Sequence, residues 1–138
     1  MKKIFTLLAL TITFSMNGQM TDNSGITSAG SSAVAMGEFT TASGNYSTAM
    51  GYFTTASGSR STAMGSLTIA SGNNSSAMGY DTTASGHKTT AMGANTTASD
   101  YASTVIGQYN SSGSSVTNNA TSFSTSNTAF VIGNGANS

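Results

Sequence analysis

Cysteine, proline and tryptophan are absent from the 138 residues, and only 6% of the residues are charged. A typical globular chain has about 25% charged residues. The lack of cysteine excludes disulfides and thiolate metal sites. Outside residues 1–18 the chain carries two cations, Arg60 and Lys88, against four carboxylates. Because no basic surface can form, we expect no binding to nucleic acid.

The first eighteen residues have the pattern of a secretory signal peptide. Met-Lys-Lys is followed by an apolar stretch from Ile4 to Phe14 and by small residues up to Gly18. This order is typical of export signals, and the stretch is shorter than the roughly 20 residues that span a bilayer. We predict a signal peptide over 1–18, a lead-in over 19–27 and a secreted protein without a transmembrane segment. A buried N-terminal helix is the alternative.

A fourteen-residue repeat dominates the rest of the chain. Five full copies run from Ala35: AMGEFTTASGNYST, AMGYFTTASGSRST, AMGSLTIASGNNSS, AMGYDTTASGHKTT and AMGANTTASDYAST. A sixth copy begins at Val105 and loses register, and the motif returns at Val131-Ile132-Gly133. We therefore predict repeats over 28–113, an irregular loop or insertion over 114–128 and a partial further repeat over 129–138.

Each repeat divides into two similar halves of seven residues, and nearly every half contains the pattern Ala-x-Gly. The halves are too short for helices, threonine favours strands, and glycine permits the turns that end them. Each half therefore predicts one short strand and one turn. Stacked coils, about 4.8 Å apart, predict an all-β fold: a two-sheet parallel β-roll, or solenoid, of fourteen-residue coils.

Side chains alternate across a strand, so that alanine and glycine share one side of each half. A narrow roll has little room beyond methyl groups, and we expect one alanine of each half to line the interior. These alanines are Ala35, Ala42, Ala49, Ala56, Ala63, Ala70, Ala77, Ala84, Ala91 and Ala98. The alternative is the reverse arrangement, in which the methionines lie inside.

The two outward faces differ in chemistry. The first half presents an apolar ladder formed by Met36, Met50, Met64, Met78, Met92 and Ile106. The second half presents serine and threonine. A continuous apolar ridge on a secreted protein marks an interaction site, and we expect this ladder to be the interface of a homo-oligomer.

The paired motifs S-T-A-M-G and T-T-A-S-G resemble the head repeat of YadA-like trimeric autotransporter adhesins, over residues 28–113 and 129–138. The resemblance implies a left-handed parallel β-roll, three rolls around a common axis and a role in attachment. Methionine stands where that family usually has isoleucine or valine. The implied location is the cell surface, with outer-membrane association through parts outside this sequence.

No catalytic constellation is evident, and we predict a non-enzymatic protein with no catalytic residues, cofactor or metal. His87 and the carboxylates fall at turns of different coils, without the fixed pairing that acid–base chemistry needs. Variable residues gather at the turns. Among them Phe39, Tyr52, Phe53 and Tyr80 are candidates for contact with an extracellular protein or surface ligand; alternatively, they cover gaps between neighbouring protomers.

Two further functions fit the same pattern. A regular threonine and serine face on a β-solenoid suggests ice binding, although the second file is serine and Ile69 interrupts the first. A structural spacer within a longer surface fibre is the other alternative.

Overall fold

The structure, a computed structural model, describes residues 25–110, 120–122 and 126–135. The predicted signal peptide, residues 19–24 of the lead-in and most of the predicted loop lie outside the described residues. All regular elements in the described ranges are β-strands. Within these ranges no helix has the length and apolar character needed to cross a membrane.

Long and short strands alternate along the chain. The long strands are β2 (Val34–Glu38), β4 (Thr48–Tyr52), β6 (Thr62–Ser66), β8 (Ser76–Tyr80), β10 (Thr90–Ala94), β12 (Thr104–Gln108) and β13 (Phe130–Asn134). The short strands are β1 (Thr27–Ser28), β3 (Thr41–Ala42), β5 (Thr55–Ala56), β7 (Ile69–Ala70), β9 (Thr83–Ala84) and β11 (Thr97–Ala98). Each repeat thus supplies one strand of each kind.

The two kinds of strand form two separate parallel sheets. The short strands lie in the order β1-β3-β5-β7-β9-β11, and the long strands in the order β13-β12-β10-β8-β6-β4-β2. Equivalent repeat positions are paired, as in Ala49 with Ala63 and Met50 with Met64. The prediction of an all-β parallel solenoid with fourteen-residue coils is confirmed.

The interior between the two sheets is lined by small side chains. The ten alanines named above are each 0% exposed, and Val105 occupies the equivalent position in β12. Hydroxyl side chains complete the lining, with Thr40, Thr54, Thr68, Thr82 and Thr96 in one column and Ser47, Ser61, Ser75, Thr89 and Ser103 in the other. The interior is therefore wider and more polar than a file of methyl groups alone.

The turns place one residue in the left-handed conformation every seven residues. Turns after the long strands, which we call the first edge, do so at Phe39, Phe53, Leu67, Asp81, Asn95 and Tyr109. Turns after the short strands, the second edge, do so at Ser32, Tyr46, Arg60, Asn74, Lys88 and Ala102. This conformation costs about 1–2 kcal/mol for a residue other than glycine. Neighbouring coils hold it by hydrogen bonds such as Phe53 N to Glu38 O, 2.9 Å.

Within the described residues β11 is the last strand of the six-stranded sheet, and two side chains form hydrogen bonds beside it. The carboxamide of Asn110 accepts a hydrogen bond from Thr97 N (2.7 Å) and donates one to Thr97 O (3.0 Å). Asp100 replaces the glycine of earlier repeats, is buried, and its Oδ2 accepts a hydrogen bond from Thr128 N at 2.8 Å. The chain then returns as β13, which pairs with β12 in repeat register.

A matched pair of leucine substitutions tests which side of the long strand faces the interior. Ala63→Leu forces a large side chain into the lumen and should destabilise the protein by about 1–3 kcal/mol or more. Met64→Leu conserves volume on the outward side and should cost less than about 1.5 kcal/mol. Urea unfolding followed by circular dichroism measures both. A larger loss for Met64→Leu would contradict the orientation.

Candidate oligomer interface and aromatic surface

The outward face of the seven-stranded sheet carries the predicted apolar ladder, which we call the methionine face. The structure places Met36, Met50, Met64, Met78, Met92 and Ile106 there, each half-buried. Neighbouring strands pair these residues directly, as in Met64 with Met78 and Met92 with Ile106. The five methionines are therefore brought together in one continuous column.

The methionine face extends to β13, the last strand of the described residues. Ile106 pairs with Ile132 of β13, which is 67% exposed, and Phe130 on the same strand is 57% exposed. Contiguous apolar surface of this kind is uncommon on a monomeric soluble protein and marks an interaction site. The ladder lies on the outward side of the sheet, where another molecule can reach it.

The outward face of the six-stranded sheet is mainly polar. Thr27, Thr41, Thr55, Ile69, Thr83 and Thr97 form one column in register. Ile69 is 43% exposed and interrupts the threonines. Each strand of this sheet contributes only two residues, so the flat part of the face is narrow.

Three of the four candidate contact residues touch one another at the first edge. The rings of Phe39 and Phe53 stack at a centroid distance of 4.5 Å. Tyr52 meets Phe53 edge-on at 4.6 Å and Phe39 edge-on at 6.4 Å. We call these three residues the aromatic cluster. All three remain more than 40% exposed, so their mutual contacts leave a large apolar surface uncovered.

The fourth candidate, Tyr80, lies apart from the aromatic cluster. Ser66 stands between Tyr52 and Tyr80 in the sheet register. Tyr80 is exposed, and among the described residues no ring contact joins it to the other three. The four residues therefore do not form one strip.

The second edge carries cations that lie against tyrosines. The Arg60 guanidinium lies 5.8 Å from the centre of the Tyr46 ring. Lys88 Nζ lies 4.9 Å from the centre of the Tyr101 ring and donates a hydrogen bond to its hydroxyl. The exposed carboxylates of the described residues, Glu38 and Asp81, lie at the first edge. In the described residues the first edge therefore carries the exposed negative charges, and the second edge carries the positive charges.

Sequence reasoning missed several features of these surfaces. The separation of charge between the edges could have been found, because the cations lie in one half of the repeat and the exposed carboxylates in the other. The stacking of Phe39 on Phe53 had a signal too, since the two residues are fourteen positions apart. The packing of the segment before β13 had no signal in the sequence. In the structure His87 N donates a hydrogen bond to Ala120 O at 2.7 Å.

The described residues hold no group of three or more histidine, cysteine or acidic side chains that could bind a metal ion. His87 is half-buried at the second edge beside Lys88. Glu38, Asp81 and Asp100 lie on different coils, as the repeat spacing requires. The surfaces that stand out in the described part of the chain are therefore apolar and aromatic contact surfaces.

Comparison with known families gives a match over most of the described solenoid. A family model described as the YadA head domain repeat (2 copies) matches residues 28–54, 56–82 and 84–110. The matched ranges cover more than half of the chain and coincide with strands β1 to β12. Neither a curated protein nor a solved structure matches the chain.

Proposed function

Because the chain belongs to the YadA head domain repeat family, we propose that it is the head of a non-enzymatic adhesin that acts as a homotrimer at the cell surface. The family implies an adhesin-type role. The single observation that carries the proposal is the in-register methionine face on a roll with an interior of small side chains.

The methionine face supports association between chains. Complete burial of one methionine side chain contributes roughly 1.5–3 kcal/mol. Each chain offers five methionines and Ile106 in one column. The lumen, in contrast, contains alanine, serine and threonine, which remove little apolar surface from water. Packing the methionine faces of several chains together would supply the larger core that a single roll lacks.

We propose that three chains lie around one axis, with the seven-stranded sheet of each chain facing that axis. A closed ring buries the methionine faces of all its chains, because the seven-stranded sheet of each chain faces the axis. The coils of every chain then stack parallel to the axis, and the edges and the serine and threonine face remain outside. The number three comes from the family, in which heads are trimeric.

The proposed location follows from the N-terminal pattern. A basic start and a short apolar stretch up to Phe14 are typical of export. We propose on this basis that the protein is secreted. The family suggests that it is held at the cell surface, and we propose that its ligand is an extracellular protein or another surface.

Attachment is tested with purified protein on coated surfaces. The trimer should bind saturably to at least one of a panel of extracellular proteins, cell layers and mineral surfaces. A variant made monomeric by Met64→Asp should bind at least tenfold more weakly, because three linked copies gain avidity. Equal binding by both forms, or none by either on any surface, would contradict an adhesive trimer.

Ice binding is the second candidate, and the threonine column Thr41, Thr55, Thr83 and Thr97 is the observation that favours it. Thermal hysteresis of the same sample distinguishes the two. Hysteresis without surface attachment would support an ice-binding face. The absence of both would support a structural spacer.

A further inference from the structure

The aromatic cluster and the second edge have complementary chemistry. The aromatic cluster offers exposed ring faces beside the carboxylate of Glu38. The second edge offers Tyr46, which is 59% exposed, with the guanidinium of Arg60 over its ring. Rings pair edge-to-face or offset-stacked, and an arginine binds the face of an aromatic ring. The two surfaces can therefore recognise each other.

A single chain cannot bring these two surfaces together. Tyr46 and Phe53 lie on either side of β4, which has five residues. At about 3.3 Å per residue such a strand spans roughly 16 Å. A contact between the aromatic cluster and the second edge therefore requires two molecules.

A ring of copies places the first edge of one chain beside the second edge of the next. In a cyclic assembly each contact is between two different surfaces, repeated around the axis. If the methionine faces point to the axis, the two edges of each roll are the parts that meet the neighbouring rolls. Every contact between neighbouring chains then joins the first edge of one chain to the second edge of the other.

The levels of the residues along the solenoid also match. Tyr46 follows Phe39 by seven residues and precedes Phe53 by seven, and Arg60 follows Phe53 by seven. Half a coil corresponds to a rise of about 2.4 Å. Tyr46 is thus level with the middle of the stacked Phe39–Phe53 pair, and Arg60 is half a coil above Phe53. Lys88 likewise follows Asp81 by seven residues and lies half a coil above it.

We propose that the aromatic cluster of one copy binds Tyr46 and Arg60 of the neighbouring copy, and that Asp81 and Lys88 form an ion pair across the same contact. This inference rests on the proposed trimer and adds its edge contacts. Tyr52 lies in strand β4 two residues after Met50, so the aromatic cluster lies at the end of strands that carry the methionine face. Continuity with that face and the charge complementarity of the edges favour a second copy over an external ligand.

Engineered cysteines test the contact on a chain that contains none of its own. Tyr46→Cys is combined in turn with Phe39→Cys, Tyr52→Cys and Phe53→Cys. Each double variant is oxidised, or treated with a short bis-maleimide, and analysed on a denaturing gel. Its fold and mass before cross-linking are checked by circular dichroism and light scattering. We expect at least one pair to give a closed covalent trimer, and each single variant to stay monomeric on the gel.

The matched control combines Tyr46→Cys with Asp81→Cys. Asp81 also lies at the first edge, but its level differs from that of Tyr46 by about 12 Å, and this pair should not close a trimer. A folded trimer that no aromatic-cluster pair cross-links, or that the control pair cross-links equally well, would overturn the edge contact and leave the trimer standing. A monomer by light scattering would overturn the trimer itself. Loss of attachment in Tyr52→Ala/Phe53→Ala, with the trimer intact and no cross-link, would assign the aromatic cluster to a ligand.

Discussion

Replacing Gly65 with alanine should disrupt the solenoid at its centre. Gly65 has φ of +122°, a conformation that L side chains rarely adopt. A Cβ atom there would overlap the carbonyl oxygen of Gly79 in the next coil. The overlapping atom belongs to the backbone of a paired strand, so relief requires the coils to separate. We expect a loss of at least about 4 kcal/mol of unfolding free energy.

Ser66→Ala is the control for this substitution. Ser66 is the next residue and is half-exposed in the same strand, and its change should cost less than about 0.5 kcal/mol. Urea unfolding by circular dichroism compares both variants with the parent protein. A Gly65→Ala variant within about 1 kcal/mol of the parent would show that the coils do not approach each other as closely as the structure has them.

Replacing Met64 with aspartate should dissociate the proposed trimer. Met64 lies near the middle of the methionine face, paired with Met50 and Met78. A trimer would hold three such carboxylates near the axis, where each loses water and repels the others. Burial of an unpaired charge costs several kcal/mol, and a loss of about 3 kcal/mol corresponds to more than a hundredfold in the dissociation constant.

The matched control is Ser71→Asp, which puts the same side chain on the opposite outward face. Ser71 is exposed beside β7, and its substitution should leave the mass of the assembly unchanged. Because both positions point away from the interior, circular dichroism should show the strand content of the parent for both variants. Equal masses for the two variants would show that the methionine face is not the interface.

The coils, their parallel register and the two sides of each long strand could be predicted from the fourteen-residue repeat. Strict spacing of Ala, Met and Gly required identical coils, and identical coils can pair their backbones in parallel register. Alternation within β4 then placed Ala49 and Met50 on opposite sides. These predictions depend only on residue spacing and on side-chain alternation within one repeat. Both recur in every copy, so a single sequence is sufficient to recognise them.

The lining of the interior was predicted only in part. Thr40 and Ser47 begin each half and are buried. Each stands two residues before an interior alanine, so that alternation places it on the same side, but the predicted lining named only the alanines. Gly51 was expected on the inward side and is instead exposed at the end of its strand, where φ is +123°. Spacing alone does not reveal a backbone conformation of that kind.

The end of the six-stranded sheet had a signal that was not used. Asp100 stands where the four preceding repeats have Gly44, Gly58, Gly72 and Gly86. An added Cβ on Gly44 would overlap the oxygen of Gly58 in the next coil. An aspartate at this position therefore indicates that the close packing of glycine on glycine in the preceding repeats is not continued at residue 100. The hydrogen bonds of Asn110 to Thr97 had no comparable signal, because in an earlier coil the equivalent bond, Thr83 N to Thr96 O, joins two backbone groups.

The molar mass in solution tests the central claim most directly. The protein is produced without residues 1–18 and measured by light scattering on a size-exclusion column over a range of concentrations. We predict three times the mass of the chain, with loss of that mass in Met64→Asp and not in Ser71→Asp. A folded monomer at every concentration would contradict the account, because the methionine face would then be stable in water.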